Sequence, residues 1–157
     1  LNLGYPGGPE ISKRSELSNN NKFIFPRPMI KSNDYNFSFS GLKTHVINAI
    51  HKLELTNEHI NNISYEVQSA IVDTLISKSV KASKNLGIKN IVITGGVSAN
   101  QKLRKDFSCI KECKAYFPDV KFSTDNGAMI AYAGFLKTKS SEFKKNFTIK
   151  PEPSLTL

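Results

Sequence analysis

The alternation of apolar and polar residues in the first half of the chain predicts helices separated by extended segments. Residues 42–53 and 58–85 place apolar side chains three or four positions apart, the spacing of one buried helix face. A shorter helix is predicted over residues 10–17. Prolines interrupt the stretch between the helices predicted over 10–17 and 42–53. They favour extended chain there, at residues 23–25 and 36–39.

The pattern in the second half alternates between strand and helix. Gly87 is a plausible helix stop because glycine accepts the left-handed conformation of a helix cap. Residues 90–94 contain the β-branched run Ile-Val-Ile, which is typical of a buried strand. A helix over 99–114, a strand near 120–123 and a helix over 126–137 complete the order. This order predicts an α/β unit with a right-handed crossover.

Length and composition are those of one compact domain. The chain has 157 residues, of which 39% are hydrophobic. No apolar run approaches the roughly 20 residues that a membrane-spanning helix needs, so we expect no membrane partner. The first residue is Leu and the chain starts inside a Gly/Pro-rich motif, so we expect a piece of a longer protein. The first residues of this sequence lack the pattern of a secretory leader, so we expect none.

The net charge of +9 suits a polyanionic partner such as RNA. However, 19 of the 22 basic residues are Lys, a bias that an AT-rich coding sequence also produces. Charge alone leaves both explanations open.

Two cysteines, Cys109 and Cys113, lie four positions apart in a predicted helix. They could share a metal or form a disulfide, but a pair without nearby His or Cys is a weak metal signal. We expect reduced thiols in a cytoplasmic protein.

The segment Ile93-Thr94-Gly95-Gly96-Val97-Ser98-Ala99-Asn100 has the pattern of a strand end, a tight turn and a helix start. Two residues without Cβ allow a ligand to approach the backbone closely. The amide of Asn100 can donate to and accept from the hydroxyls and ring nitrogens of a nucleoside. The simpler interpretation is an ordinary turn with Ser98 as the helix cap.

The segment Ser123-Thr124-Asp125-Asn126-Gly127-Ala128-Met129-Ile130 has the same pattern. Asp125 or Thr124 could cap the last helix, or the carboxylate of Asp125 could bind a cation. One carboxylate cannot hold a catalytic metal, and no convincing set of further ligands is present in the sequence.

Two further segments, Gly4-Tyr5-Pro6-Gly7-Gly8-Pro9 and Ser38-Phe39-Ser40-Gly41-Leu42-Lys43-Thr44, are a turn-rich loop and a helix start. Ser40 is the expected cap in the second, and Lys43 could bind an anion or remain solvated.

Together the four segments resemble the tRNA N6-adenosine threonylcarbamoyltransferase family, formerly described as O-sialoglycoprotein endopeptidases. The resemblance covers residues 1–137 and is to the carboxyl-terminal half. It implies an α/β fold of the actin/Hsp70/sugar-kinase (ASKHA) type, with 1–137 forming one domain with inserted helices and 138–157 a surface-wrapping or flexible tail. It also implies transfer of threonylcarbamoyl from threonylcarbamoyl-AMP to the exocyclic amine of adenosine 37, in tRNAs that read codons beginning with A.

By resemblance, Asp125 is a ligand of a divalent metal, usually iron. Gly8, Asn100 and the Gly95-Gly96 turn match adenylate-binding positions, and Ser12 stands where some members have an acidic residue. Ser123 replaces a Cys that is common in the family motif. The family's two metal-binding histidines, its phosphate loop and an upstream aspartate precede the region matched here.

The resemblance further implies tRNA, an inactive paralogous subunit and a P-loop ATPase subunit as partners, in the cytoplasm. We expect this chain alone to be inactive and to bind metal weakly. The alternatives are a metalloendopeptidase, which the absence of an HExxH helix disfavours; a degenerate non-catalytic subunit, which the presence of Asp125 and Asn100 disfavours; and a sugar kinase or ATPase of the same superfamily.

Overall fold

The computed structural model of the chain describes residues 1–18 and 22–139. Its elements in chain order are α1 (Gly7–Glu16), α2 (Ser40–Ile50), α3 (Asn57–Leu86), β1 (Asn90–Val92), a 3₁₀ turn (Gly96–Ala99), α4 (Gln101–Ser108), β2 (Lys114–Tyr116), a second 3₁₀ turn (Val120–Phe122) and α5 (Gly127–Thr138). Contacts divide the chain into a first unit, Leu1–Ser123, and a second unit, Thr124–Leu157.

Helix α3 is the central element of the first unit. It begins after Thr56, whose side chain accepts a hydrogen bond from the backbone N–H of His59, and it ends at Gly87 with φ of 67°. The predicted helix over 58–85 and its stop at Gly87 are therefore confirmed. At 30 residues the helix is long enough to contact every other helix of its unit.

Two apolar clusters pack along α3. The first joins α2 and α3 to the chain before α2, and its buried members are Phe25, Leu42, Ile63 and Ala70; α1 packs on the same helix α3. The second joins the carboxyl half of α3 to α4 and the sheet, and its buried members are Val72, Leu103, Phe107 and Cys113. One helix therefore fixes both the α1 side and the sheet side of the unit.

Strands β1 and β2 form a two-stranded parallel sheet, with Ile91 opposite Ala115. The predicted α/β order is confirmed, but the second strand is Lys114–Tyr116 and not 120–123. The predicted helix over 99–114 ends at Ser108. Residues 114–116 are extended because they pair with β1, and Pro118 restricts the residue before it, Phe117, to extended backbone. Residues 120–122 form the 3₁₀ turn instead.

Strand β1 is not buried on both faces, which corrects the expectation from its apolar run. Ile91 packs inward, whereas the side chain of Val92 is 71% exposed. Parallel strands covered on one face alternate in burial, and β1 shows this alternation.

Several predicted boundaries and caps differ from the structure. Helix α1 begins at Gly7, and residues 23–25 and 36–39 are extended or irregular without a strand assignment. The expected caps Ser40 and Ser98 are wrong. Ser40 is the first residue of α2, and Ser98 lies buried inside the 3₁₀ turn.

In the second unit, the predicted helix over 126–137 is confirmed as α5, and all of its side chains are at least partly exposed. The predicted boundary at 137/138 remains a prediction, and residues 140–157 of the tail, like residues 19–21, lie outside the described residues.

Cys109 and Cys113 do not share a helix, which corrects another prediction. Cys109 ends α4 and is exposed, while Cys113 is buried before β2, and both are free thiols. Within residues 1–18 and 22–139, none of the helices combines the length and apolar character needed to cross a bilayer.

Candidate functional site

The Gly95-Gly96 turn carries the chain from β1 into Asn100. Gly95 has φ of 82°, a conformation that other residues adopt only with strain. No other atom lies within 4 Å of where a Cβ at Gly95 or Gly96 would stand, so both glycines border open space. Ligand binding at this turn remains a prediction, with which the open space beside the two glycines is compatible.

Asn100 is the N-cap of α4, the role that the sequence interpretation gave to Ser98. Its Oδ1 accepts from the backbone N–H of Leu103 at 2.9 Å. Its Nδ2 donates to Gln68 Oε1 at 2.7 Å and to Ser12 Oγ at 3.0 Å. Two residues that the resemblance assigned to the site, 88 positions apart in the sequence, are thus in direct contact.

Gln68, on α3, joins these groups into one network. Its Oε1 also accepts from Ser12 Oγ at 2.5 Å, and its Nε2 donates to Ser15 Oγ at 2.7 Å. Ser15 Oγ in turn donates to the backbone carbonyl of Ser12 at 2.6 Å. We call Ser12, Ser15, Gln68 and Asn100 the neutral cluster.

Gly8 lies in the first turn of α1, one turn before Ser12 on the same face. The first backbone N–H groups of a helix have no acceptor within the helix, and no side chain caps α1. Gly8 is exposed, so its N–H is open to an anionic group. Gly8 therefore lies one turn from Ser12, a member of the neutral cluster, on the same face of α1.

Arg104 holds the turn before Asn100 against the chain that follows β2. Its Nε donates to the carbonyl of Ser98 at 2.6 Å, and one terminal nitrogen donates to the carbonyl of Pro118 at 2.6 Å. The guanidinium also lies 5.0 Å from the centre of the Phe117 ring. These contacts fix the position of the turn relative to α4.

Asp125 belongs to the second unit and is exposed. It does not cap α5, and neither does Thr124: Asn126 accepts from the backbone N–H of Met129 at 3.0 Å. Among the described residues, no group of three or more His, Cys, Asp or Glu side chains is placed to hold a metal ion. The described residues therefore do not form a metal site on their own.

A second polar network, centred on α3, is charged. Arg27 makes a two-point contact with Asp73, at 2.9 and 3.1 Å, and also pairs with Glu66, whose side chain is 2% exposed. Partial burial lowers the pKa of Arg27, but the hydrogen bonds to Glu66 and Asp73 outweigh it and raise the pKa above its ordinary value. Arg27 is thus held as a permanent cation.

A second charged group lies further along α3, at Lys78, which is fully buried. Its ammonium donates to Ser32 Oγ at 2.6 Å, to the carbonyl of Met29 at 3.1 Å and to Asp34 at 3.1 Å. The hydrogen bond from Lys78, assisted by one from the backbone N–H of Asn36, lowers the pKa of Asp34. Arg27, Glu66, Asp73, Lys78 and Asp34 are the charged network.

The chemistry of the neutral cluster is that of binding. Hydroxyl and amide groups are not ionised near neutral pH, so the cluster is not suited to act as a general acid or base. Its side chains can bind donor groups of a ligand, such as hydroxyls, and the N–H groups of α1 and the Gly-Gly turn can bind an anionic group.

Sequence reasoning missed Gln68. The apolar stripe of α3 identified one buried face, whereas the helix is packed on several sides and buries polar residues around it, including Asn62, Ser64, Glu66, Gln68 and Thr74. An unusually polar 30-residue helix was the available signal. Which of these polar residues meets Asn100 depends on tertiary packing.

Comparison with known proteins identifies the family. The family model described as tRNA N6-adenosine threonylcarbamoyltransferase matches residues 1–132. A curated relative of that name from Thermosipho africanus is 44% identical over 160 residues, covering 100% of this chain and 48% of the relative. Relatives of the same name are 44% identical in Buchnera aphidicola (96% of this chain, 46% of the relative) and 40% identical in Ralstonia pickettii (89% and 43%).

The chain therefore spans about half the length of the curated relatives it matches. Because the family model covers most of the chain, the chain belongs to the tRNA N6-adenosine threonylcarbamoyltransferase family.

Proposed function

We propose that this chain supplies one wall of an active site that transfers the threonylcarbamoyl group from threonylcarbamoyl-AMP to the exocyclic amine of adenosine 37 in tRNA. Family membership supports the reaction, since the relatives carry its name. The observation that carries the proposal within this chain is the contact of Asn100 with Ser12, because it joins the Gly-Gly turn to α1.

The adenylate is held by the neutral cluster and the backbone around it. Asn100 and Ser12 bind the nucleoside, and the glycine turn at Gly95-Gly96 lets the ligand lie against the backbone. The open N–H of Gly8 at the start of α1 binds negative charge, which favours the phosphate end of the ligand. AMP then leaves from a position fixed at both ends.

Positioning supplies the rate in this scheme. The amine of adenosine 37 attacks the carbamoyl carbonyl, the bond to the AMP phosphate breaks, and the amine loses a proton. Fixing the two reactants in one geometry replaces a bimolecular encounter with an internal step. The neutral cluster holds the leaving group, while the base that receives the proton lies outside the residues that we assign.

We further propose that Asp125 contributes one ligand to a divalent metal, iron by family resemblance, whose other ligands come from outside this chain. Such an ion would polarise the carbonyl that is attacked. The remaining partners are proposed on the same basis: tRNA, an inactive paralogous subunit and a P-loop ATPase subunit, in the cytoplasm. The α/β unit is then part of a larger actin/Hsp70/sugar-kinase-like fold.

The direct test measures modified adenosine in tRNA after incubation of the full-length protein and its partner subunits with threonylcarbamoyl-AMP. Asn100→Ala should lower the yield by roughly a hundredfold, the scale of losing a positioned reactant. Asn48→Ala, on the exposed face of α2, is the matched control and should leave it unchanged. Equal activity of the two variants would refute the assignment of Asn100.

Metal titration of the isolated 157-residue chain tests the role of Asp125. We expect weak binding, because one carboxylate is too few ligands for a transition metal. Tight stoichiometric binding of Fe²⁺ would contradict the proposal that the ligands are shared with another part of the protein.

A further inference from the structure

We propose that Gln68 is a positioning residue that holds the NH₂ of Asn100 and the hydroxyl of Ser12 in one hydrogen-bonding arrangement. The inference rests on the proposed function for the identity of the ligand, an adenylate. The role of Gln68 itself rests on the geometry of the neutral cluster.

The hydrogen-bond directions in the cluster are set from a backbone carbonyl. The carbonyl of Ser12 can only accept, so the hydroxyl proton of Ser15 must point to it. The Ser15 oxygen is then left to accept, and the amide of Gln68 must turn its NH₂ toward Ser15 and its oxygen away from it.

The same directions are required from the opposite end. The backbone N–H of Leu103 can only donate, so Asn100 must point its oxygen at α4 and its NH₂ at α1. That NH₂ meets Gln68 Oε1 at 2.7 Å, and the Ser12 hydroxyl proton also points to this oxygen. Gln68 is the one group of the cluster that faces both ends, and both ends demand the same orientation of its amide.

This arrangement determines which hydrogen-bonding groups of Asn100 and Ser12 are left for a ligand. Both protons of the Asn100 NH₂ are used within the cluster, as is the Ser12 hydroxyl proton. The groups left over on these two half-buried side chains are acceptor lone pairs on Asn100 Oδ1 and Ser12 Oγ. Gln68 thereby makes the cluster an acceptor for donor groups of the ligand, and it does so from a position that is only 9% exposed.

A flipped or missing Gln68 amide would disrupt these hydrogen bonds. With its NH₂ facing Asn100, two donors would oppose each other, and Asn100 would lose the acceptor that holds its own NH₂. Asn100 would still be able to cap α4, so the helix can persist while its NH₂ is no longer held by an acceptor on α3.

The experiment uses the full-length protein with ¹⁵N-labelled side-chain amides and AMP as the probe. Asn100→Asp identifies the Asn100 NH₂ resonances by their disappearance. In Gln68→Met, we expect these resonances to lose their protection from solvent exchange and the Kd for AMP to rise about tenfold, the size of one lost hydrogen bond to a ligand. Gln68→Glu keeps an acceptor facing Asn100 and should preserve the protection.

Gln101→Met is the matched control, because it makes the same change at the exposed neighbour of Asn100. It should alter neither the Asn100 resonances nor the Kd. Circular dichroism checks that each variant folds. If Gln68→Met does not fold, Ser15→Ala carries the test, since it removes the group that orients the Gln68 amide and should also reduce the protection.

Unchanged Asn100 resonances in a folded Gln68→Met protein, or in Ser15→Ala if that variant carries the test, would overturn the proposal. Unchanged affinity for AMP in the same protein would also overturn it. If AMP fails to bind the unaltered protein, the ligand named under the proposed function is wrong, and the Asn100 resonances alone decide the role of Gln68.

Discussion

The neutral cluster and the charged network are both centred on α3, yet they join it to different parts of the chain. The neutral cluster joins α3 to α1 and to the end of the Gly-Gly turn through Gln68. The charged network joins α3 to the irregular chain before α2, through Arg27 and Lys78. One contains four uncharged side chains and the other five charged ones.

The difference follows from the free-energy cost of losing a hydrogen-bond or ion-pair partner in each network. A buried charge that loses its partner is strongly destabilising, so Glu66 and Lys78 need permanent partners from their own chain. Hydroxyl and amide groups cost much less to leave unpaired, and a ligand hydroxyl can replace a protein partner. The charged network therefore serves stability, and the uncharged one is suited to a ligand that comes and goes.

Removing the central cation of the charged network should have the largest effect on stability. Arg27→Met leaves the carboxylate of Glu66, a buried residue, without its cation. We expect the free energy of unfolding in urea to fall by about 3–5 kcal/mol. Arg14→Met, whose guanidinium makes only a long 3.4 Å contact with Asn57, is the control and should change it by less than about 0.5 kcal/mol. Similar values for the two variants would remove the contrast between the networks.

Removing the amide of Asn100 should cost less. Asn100→Ala loses the cap of α4 and two donors, and we expect a decrease of about 1–2 kcal/mol in the free energy of unfolding. The same urea titration measures it, with Asn48→Ala as the control. A loss as large as that of Arg27→Met would mean that the neutral cluster is mainly structural.

Helix α3, which carries residues of both networks, ends at a left-handed glycine. Gly87→Ala places a Cβ at φ of 67° and should lower the free energy of unfolding by about 1 kcal/mol. Gly41→Ala, in α2, is the matched control, because the helical backbone and the nearest atom at 3.9 Å both tolerate a Cβ. No loss of stability is expected there, so equal losses in the two thermal unfolding curves would contradict the role of the left-handed cap.

The smallest expected effect is the pH dependence of the charged network. The pKa of Asp34 is lowered, chiefly by the hydrogen bond from Lys78. Its contribution to stability is therefore complete above the ordinary pKa of 3.8 and is lost as the pH falls from there through the lowered pKa. Asp34→Asn should flatten the acid side of the stability curve.

Glu58 contributes with the same sign, because the hydrogen bond from Lys22 lowers the pKa of Glu58. Comparing Asp34→Asn with Glu58→Gln in urea titrations at several acidic pH values separates the two pairs. A curve for Asp34→Asn that matches the unaltered protein would show that the Lys78 pair does not respond to acid.

The long helix and the last helix were predictable because each is a local property of the chain. Apolar spacing set α3, and the left-handed preference of Gly87 set its end. The site was predictable only where local turn chemistry matched a family: Gly8, Ser12, Asn100 and the glycine turn. Their roles, and that of Asp125, remain predictions that the experiments above address.

The wrong predictions of helix, strand and cap concern segments whose structure depends on contacts with other parts of the fold. Residues 109–114 were predicted to be helical, but α4 ends at Ser108 and residues 114–116 pair with β1 as a strand. Asn100 caps α4, whereas Ser98 lies buried inside the 3₁₀ turn that precedes the helix. Such choices depend on groups that local periodicity does not contain.

The helical segments, the α/β order, the glycine turn and the family could be inferred from the sequence, because each depends on short runs of neighbouring residues. The contacts of Gln68 with Ser12 and Asn100, and the burial of Lys78 beside Asp34, became apparent from the folded structure alone. Hydrogen bonds between residues tens of positions apart depend on how helices pack, and packing is a property of the whole folded unit.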